Sequence, residues 1–541
     1  MRARIALLLV MGIAVAACGG DGSVLVAPSS PSTTAAETTT VPTTAPEEER
    51  FPAAVVEAYL QGCADTADDL AYCRCTIGEF EQRLTLEEFV ALGDLAGGVL
   101  LEVATICLAE VGGDEPTVGS TAPQSLPPND LRAYTDLTIA AVEAYWEAEL
   151  PAVYGITYEE VGDTIPYFPS SGDLPGCGPE ALPNTAYEDN AFYCFPGDFV
   201  AWDAESLMPG LYTEFGDFAV ALVLAHEWGH AVQARGSIDG LGIMLELQAD
   251  CFAGAWAGHI SAGESDLLTL QEGDLDEAMA GYLLFRDPPG TSPGEPDAHG
   301  SAFDRVTAFQ DGFFGGAATC AAYPDGAFVV VNIPLTQEDL ATGGDLPFAE
   351  TAPLLAATLE TFWSAVFPDL FGTEYVPMTD YGPYLPSTGV LPPCGDAEPE
   401  DYLNNAFYCP EGDYVAWDNE NLFPSLWQEI GDLAVGMVLA HEWAVGAQAR
   451  AGLPMDGVAA SLQADCFAGT WTGDMVAGIP ILLADGTETT IFLSAGDLDE
   501  AVAGFIAFGS PQSAMGTAFE RFDAFQDGFF GGAGQCLGYS S

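Results

Sequence analysis

The chain repeats a long stretch of its own sequence, and this duplication limits the folds open to it more than any other feature. The block Asn190–Cys194 recurs at Asn405–Cys409, and the run that starts at Phe309 recurs at Phe525, about 216 residues further on. This period is too long for a solenoid repeat and suits two complete domains. We therefore expect two tandem copies of one domain at 126–325 and 349–541, with a linker at 326–348. We refer to them as the first copy and the second copy.

The first copy contains the pattern H-E-x-x-H, formed by His226, Glu227 and His230. The residues before it are apolar or small and include no Pro, which predicts a helix that runs through the motif. Residues four apart share one helix face, so the two imidazoles can bind one ion and Glu227 can reach a water on that ion. The five-residue pattern alone is also compatible with a buried helix that carries two structural histidines.

A second predicted helix, Gly242 to His259, carries Glu246 and Asp250 four residues apart among apolar neighbours. Carboxylates in such surroundings are costly unless a cation or a hydrogen-bond donor pairs with them. A catalytic zinc site has three protein ligands and one open position, so Glu246 can be the third ligand. Asp250 can accept the second ring N–H of a ligating histidine and fix its orientation.

These segments together resemble the bacterial neutral zinc metallopeptidases, which are similar to the gluzincins with H-E-x-x-H followed by E-x-x-x-D. The resemblance spans roughly Leu126 to Tyr323. It implies an α+β, zincin-like fold and hydrolysis of peptide bonds by a zinc-activated water. It does not indicate a particular substrate. The roles that it implies are zinc ligation by His226, His230 and Glu246, general-base catalysis by Glu227, and support of a ligand by Asp250. The matching sequence blocks are HEWGHAVQ, ELQADCFAG, EGDLDEA, HGSAFDR and FQDGFFGG.

The second copy lacks the residues that a metal site needs. It keeps His441, Glu442 and Asp465, but Val445 and Ser461 stand where the first copy has His230 and Glu246. Neither a Val nor a lone Ser can replace these ligands. We expect one zinc ion, in the first copy only, and a second copy that is folded but catalytically inactive.

The comparison of the copies also selects His299, which is replaced by Met515. A histidine near the metal could stabilise the oxyanion of the reaction, although a structural histidine ahead of the next helix is an equal alternative. The segments Phe192–Cys194 and Phe199–Trp202 predict a β-hairpin. We expect Phe199–Trp202 to be an edge strand that pairs with an extended peptide substrate.

The N-terminus has the layout of an export signal. Two arginines precede a short apolar run, and Val15–Cys18 resembles the bacterial lipobox. This predicts a signal peptide at 1–17, lipidation of Cys18, and anchoring to the outer face of the cell membrane. Residues 18–50 are rich in Ser, Thr and Pro and predict a flexible tether.

Cysteines are numerous, as in an exported protein. Without Cys18, twelve remain of the thirteen. Four of them fall in a predicted small helical domain at 51–111, ahead of a linker at 112–125, and their pairing stays open. The positions repeated in both copies predict the other bridges. The four open cysteines are Cys63, Cys73, Cys75 and Cys107, and the four predicted bridges are Cys177–Cys194, Cys251–Cys320, Cys394–Cys409 and Cys466–Cys536.

The net charge of −70, from 81 acidic and 11 basic residues, excludes nucleic acid as a partner. High salt or divalent cations would screen the resulting self-repulsion. A saline habitat is the hypothesis that follows from this charge. It predicts that the melting temperature rises with added NaCl, and a flat or falling trend would contradict it.

Two other classes of function share the same residues. The duplicated domains could form a non-catalytic binding or scaffold lipoprotein, which zinc content without peptidase activity would indicate. The site could equally belong to a zinc amidase that acts on cell-wall peptides, which assays on muropeptides would reveal.

Overall fold

The computed structural model describes residues 128–178, 184–295, 298–337, 339, 343–378, 381–395, 397–483, 485–509 and 515–539. The predictions for the signal peptide, the tether, the domain at 51–111 and the linker at 112–125 lie outside these residues. No helix in the described ranges is long and apolar enough to cross a membrane.

The first copy is a helical domain with one small sheet, so the expected α+β class is confirmed. The two predicted ligand helices are its third and fourth helices and lie close to their expected bounds. Its elements are α1 (Pro128–Tyr154), β1 (Asp163–Tyr167), β2 (Ala191–Cys194), β3 (Phe199–Asp203), α2 (Leu207–Glu214), α3 (Asp217–Gly236), α4 (Gly242–Ser261), α5 (Asp274–Leu284), α6 (Ala302–Gly315) and α7 (Ala317–Cys320).

The second copy repeats these elements in the same order and adds one hairpin, β7–β8, before its fourth long helix. Its elements are α8 (Phe348–Phe371), β4 (Gly382–Tyr384), β5 (Ala406–Cys409), β6 (Tyr414–Asp418), α9 (Leu422–Glu429), α10 (Asp432–Ala451), α11 (Val458–Ala477), β7 (Ile479–Leu482), β8 (Glu488–Ile491), α12 (Asp497–Phe508), α13 (Ala518–Gly531) and α14 (Ala533–Cys536).

The sheet of the first copy corrects one prediction. Its strand order is β1-β3-β2, with β1 parallel and β2 antiparallel to β3. The segment Phe199–Trp202 is therefore in the central strand, and all of β3 is buried. The sequence missed β1, whose short run contains Pro166; a proline fits an edge strand because it donates no ladder hydrogen bond.

The acidic residue Asp274 directly follows a two-residue turn at 272–273. It begins α5, and its first turn carries two more acidic residues. Acidic side chains in a first turn interact favourably with the positive end of the helix dipole, which makes this sequence a helix start.

The two copies share one apolar core, which runs from Ala141 in α1 to Cys536 in α14. The segment between the copies packs on this core as well. Phe328 is buried, and the Val331 N–H donates to Asp304 Oδ1 at 3.0 Å.

Candidate metal centre

Helices α3 and α4 bring the three predicted ligands to one point. His226 and His230 lie one turn apart on α3, and their Nε2 atoms are 3.1 Å apart. Glu246, in the first turns of α4, places one carboxylate oxygen 3.3 Å from His226 Nε2 and the other 3.5 Å from His230 Nε2. Donors bound to zinc in a tetrahedron by bonds of about 2.0–2.1 Å lie about 3.3 Å apart. We call these three residues the metal cluster, and its donor types and spacing fit zinc.

The metal cluster is reachable from solvent. The side chains of His226, His230 and Glu246 are 11%, 22% and 22% exposed. A structural zinc site is closed, whereas a catalytic site keeps one position open. The partial exposure on the ligand side is therefore what a catalytic site needs.

The electrostatics of the metal cluster favour a positive charge. Burial opposes protonation of His226, but Asp250 and Glu246 outweigh it and raise the pKa of His226 to about 10. Burial works against ionisation of Glu246 too, yet the facing histidines hold its pKa well below the usual range. A cation at this point is stabilised by the same carboxylates.

Asp250 orients the first ligand and is itself held by an arginine. Its Oδ1 lies 2.7 Å from His226 Nδ1, in the role that the sequence predicted. Arg305 of α6 binds both carboxylate oxygens of Asp250, at 2.8 and 2.9 Å. Burial raises the pKa of Asp250, but Arg305 and His226 reverse this and the pKa is lowered. The carboxylate therefore stays ionised and fixes His226 with Nε2 turned toward the metal cluster.

A chain of glutamines orients the second ligand. His230 Nδ1 lies 2.9 Å from Gln233 Oε1. The Gln233 amide donates to Gln248 Oε1 at 3.2 Å, and the Gln248 amide donates to the Cys320 carbonyl at 2.9 Å. Sequence reasoning missed both glutamines, although Gln448 and Gln463 repeat them in the second copy and could have signalled a role.

Glu227 of the H-E-x-x-H motif lies against the free edge of β2. Its Oε2 accepts the Tyr193 N–H at 2.8 Å. Its Oε1 accepts no hydrogen bond from the described residues. One carboxylate oxygen is thus fixed while the other remains available.

A close approach of the two ligand helices depends on Gly229. A Cβ at this position would lie 2.7 Å from the Ala249 Cα on α4. Such a contact is closer than packed atoms tolerate, so only glycine lets α3 and α4 meet at this distance. The second copy has Ala444 at the matching position.

The second copy keeps the supporting residues and one of the three ligand positions, His441, but lacks the other two. His441 Nδ1 lies 2.8 Å from Asp465 Oδ1, and Arg521 binds Asp465 at 2.7 and 3.0 Å. Where the ligands are missing, buried oxygens stay without a hydrogen-bond partner among the described groups, namely Gln448 Oε1 and Ser461 Oγ. In the first copy, the oxygen that matches Gln448 Oε1 is paired with His230.

The remaining predicted residues lie as follows. His299 pairs with Asp287, with its Nδ1 3.4 Å from Oδ1, and the described residues give it no hydrogen bond or ion pair to the metal cluster. Its role at the oxyanion stays a prediction. The four predicted bridges are present, at 177–194, 251–320, 394–409 and 466–536.

Two acidic clusters elsewhere have a structural explanation. Asp217, Asp274 and Glu277 meet in the first copy, and Asp345, Asp432 and Glu500 meet in the second. Glu277 accepts the Phe218 N–H at the start of α3, and Glu500 accepts the Leu433 N–H at the start of α10. These carboxylates cap helix N-termini.

Known proteins match the part of the chain that contains this centre. Residues 130–323 match the family described as "putative neutral zinc metallopeptidase". Uncharacterized proteins Rv2575 of Mycobacterium tuberculosis and Mb2605 of Mycobacterium bovis are 32% identical over 203 residues, which is 32% of this chain and 64% of theirs. Uncharacterized protein YpfJ of Escherichia coli is 27% identical over 254 residues, which is 41% of this chain and 84% of that protein. The chain thus spans just under two thirds of the mycobacterial relatives, and no solved structure matches it.

Proposed function

We propose that the first copy is a zinc-dependent peptidase of zincin-like fold, and that the second copy is catalytically inactive. One observation carries this proposal: two imidazole nitrogens and a carboxylate lie 3.1–3.5 Å apart, on side chains that are 11–22% exposed to solvent. The match of residues 130–323 to a metallopeptidase family supports the same class.

His226, His230 and Glu246 are the proposed zinc ligands. A zinc ion held there would act as a Lewis acid and would lower the pKa of a bound water to about 7. The carboxylate of Asp250 keeps the proton of His226 on Nδ1, so that Nε2 is left as a donor to the metal.

Glu227 is the proposed general base. The hydrogen bond from the Tyr193 N–H fixes the position of its Oε2. The free Oε1 takes a proton from the attacking water, and the same carboxyl group then passes this proton to the leaving amine.

The substrate strand is proposed to pair with β2. The Tyr193 N–H points away from β3 and toward Glu227, so the free edge of β2 faces the catalytic residues. An extended peptide that adds to this edge would place its main chain beside the metal cluster. We also propose that His299 donates a hydrogen bond to the oxyanion. This role requires its ring to turn away from Asp287.

The test is Glu227→Gln in the full chain, with Glu442→Gln as the matched control. We expect Glu227→Gln to retain bound zinc and to lower turnover of unfolded casein by at least about 100-fold. The control should keep full activity. Substantial turnover by the zinc-loaded Glu227→Gln protein refutes the assignment. Hydrolysis of muropeptides without hydrolysis of casein identifies an amidase instead.

The proposed location is the outer face of the cell membrane, with a lipid on Cys18. The lipobox-like residues Val15–Cys18 support it. Cys18→Ser should release the protein from the membrane fraction, and unchanged membrane association would contradict the anchor.

A further inference from the structure

The two copies cap each other's helices through a reciprocal pair of aspartates. Asp499, in the first turn of α12, accepts the Phe303 N–H at the start of α6 at 3.1 Å. Asp276, in the first turn of α5, accepts the Phe519 N–H at the start of α13 at 2.9 Å. The first N–H groups of a helix have no partner within it, so each helix receives part of its N-terminal cap from the opposite copy.

This exchange is not symmetric in strength. Asp499 is buried, with 6% of its surface exposed, and its second oxygen lies 3.3 Å from Arg286 Nε of the first copy. Asp276 is only half-buried, and the residue that corresponds to Arg286 in the second copy is Gly509. The second copy therefore holds the first by an additional ion pair that has no counterpart in the other direction.

The aromatic ring of Phe303 is also held by the second copy. Its centroid lies 5.1 Å from that of Phe529 and 5.7 Å from that of Phe522, both on α13. The start of α6 is thus fixed at its backbone by Asp499 and at its side chain by α13.

The start of α6 leads directly to the metal cluster. Arg305 lies two residues after Phe303 and binds both oxygens of Asp250, which in turn binds His226. Helices α6 and α4 also touch through their backbones, because a Cβ at Gly254 would overlap the Phe309 carbonyl. A shift of α6 must therefore move either Arg305 or α4, which carries Glu246 and Asp250.

We propose that the second copy is a positioning element for the metal centre of the first, and that Asp499 is the residue through which it acts. By capping α6 and binding Arg286, Asp499 holds Arg305 where it orients Asp250 and thereby His226. The copy that lost its own ligands is thus part of the support of the remaining site. This inference rests on the proposed zinc site but not on its catalytic activity.

The test compares Asp499→Ala with Asp276→Ala in the full chain, read by zinc affinity against a chromophoric chelator. We expect Asp499→Ala to weaken zinc binding by about 10–100-fold, the range found when supports of metal ligands are removed. Asp276 caps only a helix of the second copy, so Asp276→Ala should leave zinc affinity unchanged. Both variants should lower the melting temperature. The visible spectrum of the Co²⁺-loaded protein should change for Asp499→Ala alone, because a tilted His226 alters the ligand field.

Two milder variants keep the test decisive if Asp499→Ala fails to fold. Asp499→Asn keeps an acceptor for the Phe303 N–H but loses the ion pair. Arg286→Gln, at a residue that is 39% exposed, loses the same ion pair together with the Arg286 hydrogen bond to the Leu283 carbonyl. Both should weaken zinc binding less than Asp499→Ala. Zinc affinity and Co²⁺ spectra that match the wild type in these variants overturn the proposal. Zinc binding without hydrolysis in the wild type would instead refute only the peptidase.

Discussion

At the residue scale, the two copies form an internal comparison in which the metal cluster is present once and its supporting residues are present twice. The trio His226, Asp250 and Arg305 has the same contacts as His441, Asp465 and Arg521, within about 0.1 Å for the hydrogen bonds between histidine and aspartate. Because the contacts agree, the supporting residues do not distinguish the two copies. The ligands His230 and Glu246 are what the second copy lacks.

This parallel gives a prediction for Asp250→Asn, with Asp465→Asn as the control. Each change weakens a buried ion pair with an arginine, so we expect both to lower the free energy of unfolding by about 3 kcal/mol or less, since the asparagine keeps one acceptor. Only Asp250→Asn should also weaken zinc binding, by about 10–100-fold. Chemical unfolding of the chelator-treated protein measures the first effect, and chelator competition measures the second. Equal zinc affinity in the two variants would contradict the role of Asp250.

At the element scale, the distance between α3 and α4 decides whether three ligands can meet. Glu246 comes from a different helix from the two histidines, so the helices must approach closely. The approach occurs at Gly229, where the opposite residue is Ala249. In the second copy the matching pair is Ala444 and Ala464, and two of the three ligand positions are changed, to Val445 and Ser461.

We predict that Gly229→Ala separates α3 from α4 and weakens zinc binding by at least about 10-fold, because the ligand set is spread beyond tetrahedral spacing. The control is Ala444→Gly, which removes a Cβ at the same place in the second copy. It should cost about 1 kcal/mol of stability, the helix penalty of glycine, with no change in zinc affinity. Titration of the metal-free variants with zinc gives both results, and tight binding by Gly229→Ala would show that the helices need not touch there.

At the scale of the whole molecule, this acidic chain buries several carboxyl groups. Burial makes these groups harder to ionise than they are in water. Burial raises the pKa of Asp304 to about 7 and that of Asp523 to about 6. The net charge of −70 adds a general repulsion that acts in the same direction. Ion-paired carboxylates such as Asp287 and Asp413 have a lowered pKa. They therefore change the pH dependence of stability only in more acidic solution.

The whole chain should therefore be more stable at pH 5 than at pH 8. The folded pKa of a group such as Asp304 lies above its unfolded value of about 3.9, so the folded state binds more protons between these values. The stabilisation is complete below the unfolded pKa and is lost as the pH rises through the folded pKa. Melting temperatures recorded in chelator at both pH values measure this, and Asp304→Asn should reduce the difference. A melting temperature that is equal or higher at pH 8 would contradict the prediction.

The sequence by itself predicted the three residues that meet in the metal cluster, the two helices that carry them, the paired cysteines and the residues that differ at the matching positions of the second copy. Each of these depends on local helical periodicity or on a comparison of aligned positions, which the chain carries in linear form. It also placed the hairpin of β2 and β3 correctly.

Only the tertiary structure decided which strand is the edge, what holds Asp250, and how the copies meet. Pairing of β1 with β3 depends on hydrogen bonds between segments more than 30 residues apart, and Arg305 reaches Asp250 across 55 residues. The contact of Asp499 with Phe303 spans 196 residues. No local pattern encodes such contacts, because they arise from the burial of apolar surface by whole helices, which fixes the polar groups only once the core has formed.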